Sequence, residues 1–518
     1  MRTFSTEGPC DPARHYHLPA APRLAEGLGL VDEGAYFLVR APRRTGKTTS
    51  LRALAAELLA SGRYAALVAS AEVGEPLGDD LARAEESLLA SIRLSAEHDL
   101  PPELRPPPFP ASAEGTRIWA ALSAWARVCP RPLVLLFDGA DTLHGAALRT
   151  VLRQLEIGFP RRPAAFPWSV VLAGQHDLRL EPFAAAGDAP VRPGLTGPFE
   201  VALSPESLRR FSEDEVRALY AQHTHETGQT FDEAAIRAAW EATAGHPFLV
   251  QALGRELVTI VPRAESISEA HVHAAVHHLV DRRVTPIDAL AARLAEPRVR
   301  RVVEPLLAGT ALVARAHDDD IRHARDLGLL AEDDPARIEG GIHRALVPRL
   351  LASGIGRAVA DDPARFYKTD GALDVEVLLH AFAVFYRTHA RHLVADAAYE
   401  AVAPELVFLG WLFRMVERRG WVDVHWGGSH GRIDVTLRVP LQSGGEQHEA
   451  FVLSSRRKGE PGAKARAVGF LEDVLDAEDL ASGTVVLFDR RVKRAAGERV
   501  KLKQTTTAKG RAARMLRA

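Results

Sequence analysis

Apolar residues come in short runs with turn signals on either side, and the first run sets the pattern. Residues 35–39, AYFLV, mix aromatic and branched side chains over five positions, which reads as a buried strand. The segment APRRTGKTT follows, and Leu51, Leu54, Leu58 and Leu59 then recur at helical spacing. YAALVAS (Tyr64 to Ser70), Leu133 to Phe137 and SVVLA (Ser169 to Ala173) read as three further strands. Strands separated by helical patterns predict an α/β fold with a parallel, doubly wound sheet. The proline-rich stretch LPPELRPPPFP, from Leu100, reads as a surface excursion.

After Phe199 to Leu203 the texture changes. Ser212 and Glu215 form a capping-box pair ahead of an amphipathic helix. Further helices are expected to start near Asp232, Phe248 and Ser268, with no strand between them. From Pro286 to Leu351, short helices give way to DLGLLAEDDPARIEGGIHRALV, a hairpin-like stretch that suggests a winged helix. Residues 362–417 are helical again. The runs WVDVHW, RIDVTLRV, EAFVLSS and TVVLFD then predict a mixed α/β domain. The expected domains are 1–204 for the nucleotide-type sheet, 205–284 for a helical lid and 285–361 for the winged-helix-like module. A mixed α/β domain at 362–490 and a basic tail at 491–518 complete the chain. No internal repeat recurs at a fixed period.

Composition narrows the class. A chain of 518 residues is too long for one core. A net charge of −2 argues against a molecule that binds polyanions over its whole surface. Two cysteines, Cys10 and Cys129, exclude a disulfide scaffold and fit a reducing cytoplasm. MRTFSTEGPC carries no apolar signal core, and no apolar run approaches the ~18 residues of a membrane span. Arginine far outnumbers lysine, so each lysine invites a question, Lys47 among them.

APRRTGKTT has the spacing of a phosphate-binding loop between a strand and a helix. Ala41 stands at the first glycine position, where alanine fits if its φ is negative. Ala41, Pro42, Arg43, Arg44, Thr45, Gly46, Lys47, Thr48 and Thr49 are the expected nucleotide contacts. Backbone N–H groups at a helix N-terminus wrap phosphates, and Gly46 permits their close approach. Lys47 would reach the β/γ-phosphates, and Thr48 would offer its hydroxyl to Mg²⁺. Asp138, closing an apolar strand, would be the second Mg²⁺ ligand. The bland alternatives are a chance match on a strand–turn–helix and an aspartate that only caps a strand end.

Several segments carry a wider resemblance: GPCDPARHYHLP, YFLVRAPRRTGKTT, LLFDGADTL, VLRQLEIGFPRRPAAFPWSVVLAG, YAQHTHETGQTFDEAA and GHPFLVQALGRELV. Together they resemble a bacterial ATP-binding family of the AAA/STAND type that joins its ATPase unit to a C-terminal PD-(D/E)XK nuclease-like domain. The resemblance runs from about Phe4 to Arg490 and is looser after Leu351. In that family alanine opens the loop. GHPF is similar to its Gly-x-Pro motif, which implies that Pro247 meets the nucleotide; the bland reading is a proline in the first turn of a helix.

The chain departs from the family at several sites. Gly139 follows Asp138 where the family has the glutamate that orients or deprotonates water. Asp141 is expected to point elsewhere after the turn. His176 stands where the family tends to have arginine, while Arg179 remains. In the C-terminal domain Asp434 is kept, but Ser454 and Arg456 replace the glutamate and lysine of the nuclease motif. Glu446 and Glu449 lie upstream and would substitute only with rearrangement.

His271, His273, His277 and His278 share one expected helix, and a solvated polar face explains them better than a metal site. His223 to Glu226, HTHE, sits at a helix end. Arg490 to Ala518 holds eleven Arg/Lys and one acidic residue, Glu498, so it is either a phosphate-backbone contact or a solvated tail. The expected function is an ATP-binding regulator or scaffold, with ATP/ADP and Mg²⁺ as ligands, weak or lost hydrolysis and an inactive nuclease-like domain. A protein partner, or nucleic acid at the winged helix or tail, fits that reading. The alternatives are a working ATPase that acts on nucleic acid and a nucleic-acid-binding module that needs no nucleotide.

Overall fold

The structure is a computed structural model. It describes the chain apart from residues 73–79, 144, 176–177, 179–197, 200, 204–207, 209, 283–285, 310–311, 313, 332–334, 357–358, 360, 396, 417–418, 427–431, 457–461 and 490–500. The described residues form two compact units, Met1–Val272 with Asp326–Gly328, and His273–Arg325 with Leu329–Ala518.

The first unit holds an all-parallel sheet of β1 (Tyr36–Arg40), β2 (Ala65–Ser70), β3 (Leu133–Asp138), β4 (Ser169–Gly174) and β5 (Val201–Leu203), in the order β2-β3-β4-β1-β5. Its helices are α1 (Ala25–Asp32), α2 (Lys47–Ala60), α3 (Leu81–Asp99), α4 (Arg117–Val128) and α5 (Gly145–Gly158). Period-two alternation sends β3 into two cores. Leu133, Leu135 and Phe137 pack with Leu88, Trp125 and Leu155 of α3, α4 and α5. Val134 and Leu136 pack with Leu51, Leu54 and Leu58 of α2. Both faces of the sheet are covered, which is why its strands read as near-continuous apolar runs.

The proline-rich stretch is exposed or half-buried at most positions, as expected, but it is anchored to the core. Leu104 is buried in the sheet's larger core, and its carbonyl accepts the indole N–H of Trp125 at 3.0 Å. Phe109 carries the Arg93 guanidinium 4.9 Å from its ring centroid. Prolines deny the segment long helix and ladder bonds, but Leu100, Leu104 and Phe109 still anchor it.

Four helices follow: α6 (Glu213–Thr227), α7 (Glu233–Thr243), α8 (Pro247–Ile260) and α9 (Glu269–Asp281). The capping box of α6 is made, with Glu215 N–H donating to Ser212 Oγ at 3.2 Å and Ser212 N–H to Glu215 Oε2 at 2.8 Å. The boundary between the compact units falls inside α9, at Val272. The N-terminal strap lies along these helices: Phe4 and Tyr16 pack edge-on with each other and with Tyr220 and His223. Gln251 of α8 accepts the Ser5 N–H at 3.0 Å and donates to the Tyr16 carbonyl at 2.8 Å.

The second unit opens with α10 (Pro286–Leu294), α11 (Pro297–Leu307) and α12 (Ala314–Asp326). A single antiparallel bridge between Leu330 and Ile338 comes next, then α13 (Gly340–Gly356). Among the described residues, one bridge stands where the wing of a winged helix is expected. After α14 (Val375–Ala395) and α15 (Ala403–Val416) comes a mixed sheet, in the order β10-β11-β9-β8-β7-β6. Its elements are β6 (Trp421–His425), β7 (Arg432–Pro440), β8 (Glu446–Arg456), α16 (Ala463–Ala477), β9 (Ser482–Asp489), β10 (Lys501–Thr506) and β11 (Ala512–Arg517). Phe451 of β8 meets Phe408 of α15, while Val452 packs with Leu471 and Leu475 of α16.

The expected basic tail is therefore part of this sheet: β11 runs parallel to β9 and antiparallel to β10. Four of its described cations are held in ion pairs. Arg514 meets Glu449 at 2.6 Å, Lys509 and Arg511 meet Asp476 at 2.5 and 2.9 Å, and Arg517 meets Asp489 at 3.2 Å. Ala513, Met515 and Leu516 are buried between them. High charge hid a strand whose apolar positions are few.

Leu104→Ala is expected to destabilise the first unit by about 2–4 kcal/mol, as a buried leucine truncation does. Pro107→Ala, one turn away, should cost less than about 0.5 kcal/mol. Urea denaturation of the two variants beside the parent chain measures both.

Candidate nucleotide site

The carboxyl ends of four strands meet on one line of the sheet: Ser70 pairs with Asp138, Asp138 with Ala173, and Arg40 with Gly174. Crevices at such strand ends are where open parallel sheets bind ligands. The loop from β1 to α2 starts at Ala41, whose N–H donates to the Gly174 carbonyl at 3.2 Å. Ala41 keeps a negative φ; in this loop only Arg44 (61°) and Gly46 (91°) have positive values. A Cβ on Gly46 would lie 3.1 Å from Arg23 Nη1, so glycine serves both the turn and that close approach.

Side chains brace the turn from within and without. Thr45 Oγ1 donates to the Pro42 carbonyl at 2.8 Å, and Arg23 Nη1 donates to the Thr45 carbonyl at 3.1 Å. Arg43 and Arg44 are exposed, and the Arg44 guanidinium sits 4.5 Å from the ring centroid of Phe248. Cys10 N–H donates to Thr49 Oγ1 at 3.3 Å, which ties the N-terminal strap to the first turn of α2.

Lys47 begins α2 and turns its Nζ back into the loop, donating to the carbonyls of Ala41 and Pro42 at 2.5 and 3.0 Å. Burial pushes its ammonium down to about 8; the Asp141, Asp138 and Glu72 carboxylates support the charge, and Arg43 opposes it. Thr48 Oγ1 donates to Asp138 Oδ2 at 2.5 Å, joining the start of α2 to the end of β3. The pair offers a hydroxyl and a carboxylate side by side, the hard oxygens that Mg²⁺ takes.

Asp141 does not point away, contrary to expectation. It lies on the turn Ala140–Thr142, and its Oδ2 accepts the Gln175 N–H at 2.7 Å, just past β4. A Cβ on Gly174 would be 2.8 Å from its Cγ, so the missing side chain there lets the carboxylate fold back beside Lys47. Gly139 has φ 72°, and a Cβ on it would be 2.3 Å from Glu72 Cγ. His176 and Arg179 lie outside the described residues.

Pro247 is buried at the first position of α8. The helix contact with the loop runs one residue further on, through Phe248 and Arg44. Gly245 before it has φ 67°, and a Cβ there would lie 1.9 Å from the Phe211 carbonyl oxygen, so glycine is obligatory in GHPF. Arg23, Cys10, Glu72, Asp141 and Gln175 were not singled out for this site from sequence. Each arrives by tertiary packing from a position with no motif spacing.

In the C-terminal sheet Asp434, Val452 and Ser454 share the face covered by α16. Asp434 is buried beside Arg432, whose Nε stands 3.1 Å from Asp434 Oδ2 and whose Nη1 stands 3.2 Å from Asp473 on α16. A guanidinium bridges these two carboxylates. Glu449 is held by Arg514 and Glu446 pairs with His448 at 3.2 Å, so neither completes a site. No group of three or more potential metal ligands is found among the described residues. His277 corrects its expectation: it is buried, with Nε2 3.1 Å from Asp423 Oδ1, and not on a solvated face. His223 is likewise buried, between Tyr16 and Gln229 at 3.3 and 3.1 Å. No described helix is long and apolar enough to cross a membrane.

No protein-family model matches the chain, and no curated protein sequence matches it. Among solved structures, the Walker-type ATPase PABY2304 of Pyrococcus abyssi is similar at 14% identity and TM-score 0.44, over 66% of this chain and 98% of that one. The Thermotoga maritima RuvB Holliday junction branch migration motor is similar at 15% identity and TM-score 0.32, over 62% and 90%. The Aeropyrum pernix Orc1 protein in complex with DNA is similar at 16% identity and TM-score 0.34, over 64% and 92%. All three scores lie below one half, and the functional reading rests on the chain's own geometry.

Burial pushes Asp434 up to about 6, against the pull of Arg432 and His425 and with the help of Asp473; its Oδ1 is buried with no hydrogen-bond partner. The folded state therefore holds this proton more tightly than the unfolded chain, whose aspartates titrate near ~4. The resulting stability is present below about pH 4 and is lost as pH rises through about 6. Asp434→Asn, a neutral isostere, is expected to be more stable than the parent at about pH 7.5, with the gap closing towards pH 4. Thermal melts across that range check it.

Proposed function

We propose that this chain binds Mg-ATP in the β1–α2 loop and that the nucleotide governs the surrounding helices. The observation that carries the reading is the Thr48–Asp138 bond of 2.5 Å with the Lys47 ammonium beside it. The start of α2 and the end of β3 thus gather a cation for phosphate and two oxygens for Mg²⁺. The bound Mg²⁺ would neutralise phosphate charge, while Lys47 would meet the β/γ-phosphates and the N–H groups of residues 44–49 would line them.

The regulatory reading follows from what the loop already touches. Arg44 meets Phe248 of α8, and Thr49 meets Cys10 of the strap that Gln251 of α8 also holds. A triphosphate that reorganises the loop must act on these contacts, so α8 is the element through which occupancy is felt. Pro247, at the head of α8, is the residue we assign to closure over the nucleotide. The resemblance to AAA/STAND ATPases supports this. The Arg432 bridge between Asp434 and Asp473 supports an inactive, nuclease-like C-terminal domain. The ion pairs of β11 weigh against nucleic-acid binding through the C-terminal strand. The second reading, a working ATPase, is favoured by one observation: three carboxylates, not one, support the Lys47 charge.

Lys47→Ala is expected to weaken ATP binding by about tenfold to a hundredfold, the loss of a charge-assisted contact worth roughly 1.5–3 kcal/mol. Calorimetry with ATP and ADP, with and without Mg²⁺, measures this; an unchanged affinity sinks the site assignment.

The titration of Lys47 gives a further check. Above about pH 8 part of the lysine is neutral, and a bound polyphosphate restores its proton. ATP binding at about pH 8.5 should therefore take up a fraction of a proton, and affinity should fall as pH rises further. Calorimetry in two buffers of different ionisation enthalpy reads the uptake, which Lys47→Ala should abolish.

A further inference from the structure

Gly139 leaves a space beside the Mg²⁺ aspartate, and that space is filled. A Cβ built on Gly139 falls 2.3 Å from Glu72 Cγ and 3.2 Å from both Glu72 Cδ and Oε1. The Glu72 chain therefore lies across the position from which a side chain at residue 139 would emerge. The backbone makes this possible. Ser70 pairs with Asp138, and Ala71 N–H donates to the Asp138 carbonyl at 2.8 Å, so β2 stays fastened to β3 one residue beyond the ladder. Thr142 Oγ1 donates to the Ala71 carbonyl at 3.2 Å and holds the turn from the other side. Glu72 follows directly, exposed to solvent, and its Cα is steered by these bonds to the flank of Gly139.

We propose that Glu72 supplies the water-activating carboxylate of a working ATPase site, standing in from β2 for the glutamate that residue 139 lacks. This rests on the reading that the β1–α2 loop binds Mg-ATP. Three carboxylates act on Lys47: Asp141, Asp138 and Glu72. Asp138 is engaged with Thr48, and Asp141 is engaged with the Gln175 N–H and packed on Gly174. Those two are placed to bind metal and to position the end of β4. Glu72 is the exposed member of the set and lies against the residue that follows Asp138, and its carboxylate is the general base.

The step balances as follows. A water oxygen bonds to the γ-phosphorus while the bond from that phosphorus to the β,γ-bridging oxygen breaks, and its electron pair leaves with ADP. One water proton stays on the new phosphate. The other passes to the Glu72 carboxylate and from there to solvent, restoring the base. Gly139 and Glu72 are thus one device, because any side chain at 139 would displace the Glu72 chain.

The test compares the full-length protein with Glu72→Gln, Gly139→Ala, Asp141→Asn and Lys47→Ala, measuring Mg-ATP affinity by calorimetry and phosphate release on the same samples. The parent is expected to release phosphate. Glu72→Gln should lower turnover about a hundredfold or more, keep ATP affinity within about threefold, melt like the parent and lose the acidic limb of the turnover–pH profile. Gly139→Ala should also lower turnover with binding retained, since it moves the carboxylate without removing it.

A parent that binds ATP and releases no phosphate overturns the proposal and leaves the binding site standing. Turnover that survives Glu72→Gln but is lost in Asp141→Asn overturns it in favour of Asp141. A parent that binds no nucleotide overturns the binding reading itself.

Discussion

An ammonium withdrawn from water must be met by oxygen or by negative charge, and Lys47 imposes that requirement on everything around it. Desolvation disfavours its charged form. Two loop carbonyls within 3.0 Å and three nearby carboxylates keep the charged form within reach of neutral pH. Those carboxylates come from three stretches of chain: Glu72 after β2, Asp138 at the end of β3 and Asp141 on the following turn. They converge because the parallel register brings Ser70, Asp138 and Ala173 into one line. The sheet order and the charge on one lysine are thus linked. Slip β2 against β3 and Glu72 leaves the site; slip β4 and Asp141 loses the Gln175 N–H that fixes it.

The scaffold was legible in the sequence because its cues are local. Buried parallel strands announce themselves as apolar runs, and β1 to β4 each begin within one residue of where those runs begin. The capping box of α6 is two residues at a fixed spacing, and both of its hydrogen bonds are made. The loop from Ala41 to Thr49 is a contiguous motif, so its position between strand and helix follows from nine letters. The rest is carried by long-range packing. Glu72 has no motif around it and reaches the site only because Gly139, 67 positions later, lacks a side chain. Arg23 braces the Thr45 carbonyl from a stretch with no periodicity. Asp141 was misjudged because its direction depends on a glycine in another strand.

Charge misled the reading at the C-terminus by the same route. A segment dense in arginine and lysine looks solvated when its partners are not in view. Glu449 and Asp489, remote in sequence, pair with Arg514 and Arg517 of β11, and Asp476 pairs with Lys509 and Arg511 just before it. Arg432 acts similarly in the sheet interior. It occupies the side of Asp434 that faces Asp473, so a resident guanidinium neutralises what a divalent ion would otherwise neutralise. A metal entering there would have to displace a cation already bonded to both carboxylates, and Ser454 offers no negative charge in exchange.

The two halves of the chain show opposite outcomes of one physical problem, a carboxylate placed in a partly buried position at the end of a strand. At Asp138 the carboxylate accepts the Thr48 hydroxyl, and the Lys47 ammonium stands nearby. At Asp434 burial dominates even with Arg432 alongside, one oxygen is left without a partner, and the acid is pushed up towards neutrality. A group in the first situation is held by a hydroxyl and faces an ammonium. A group in the second competes with its own proton and with its own arginine. The carboxylates of Glu72, Asp138 and Asp141 thus gather around a single ammonium, while those of Asp434 and Asp473 are bridged by a fixed guanidinium.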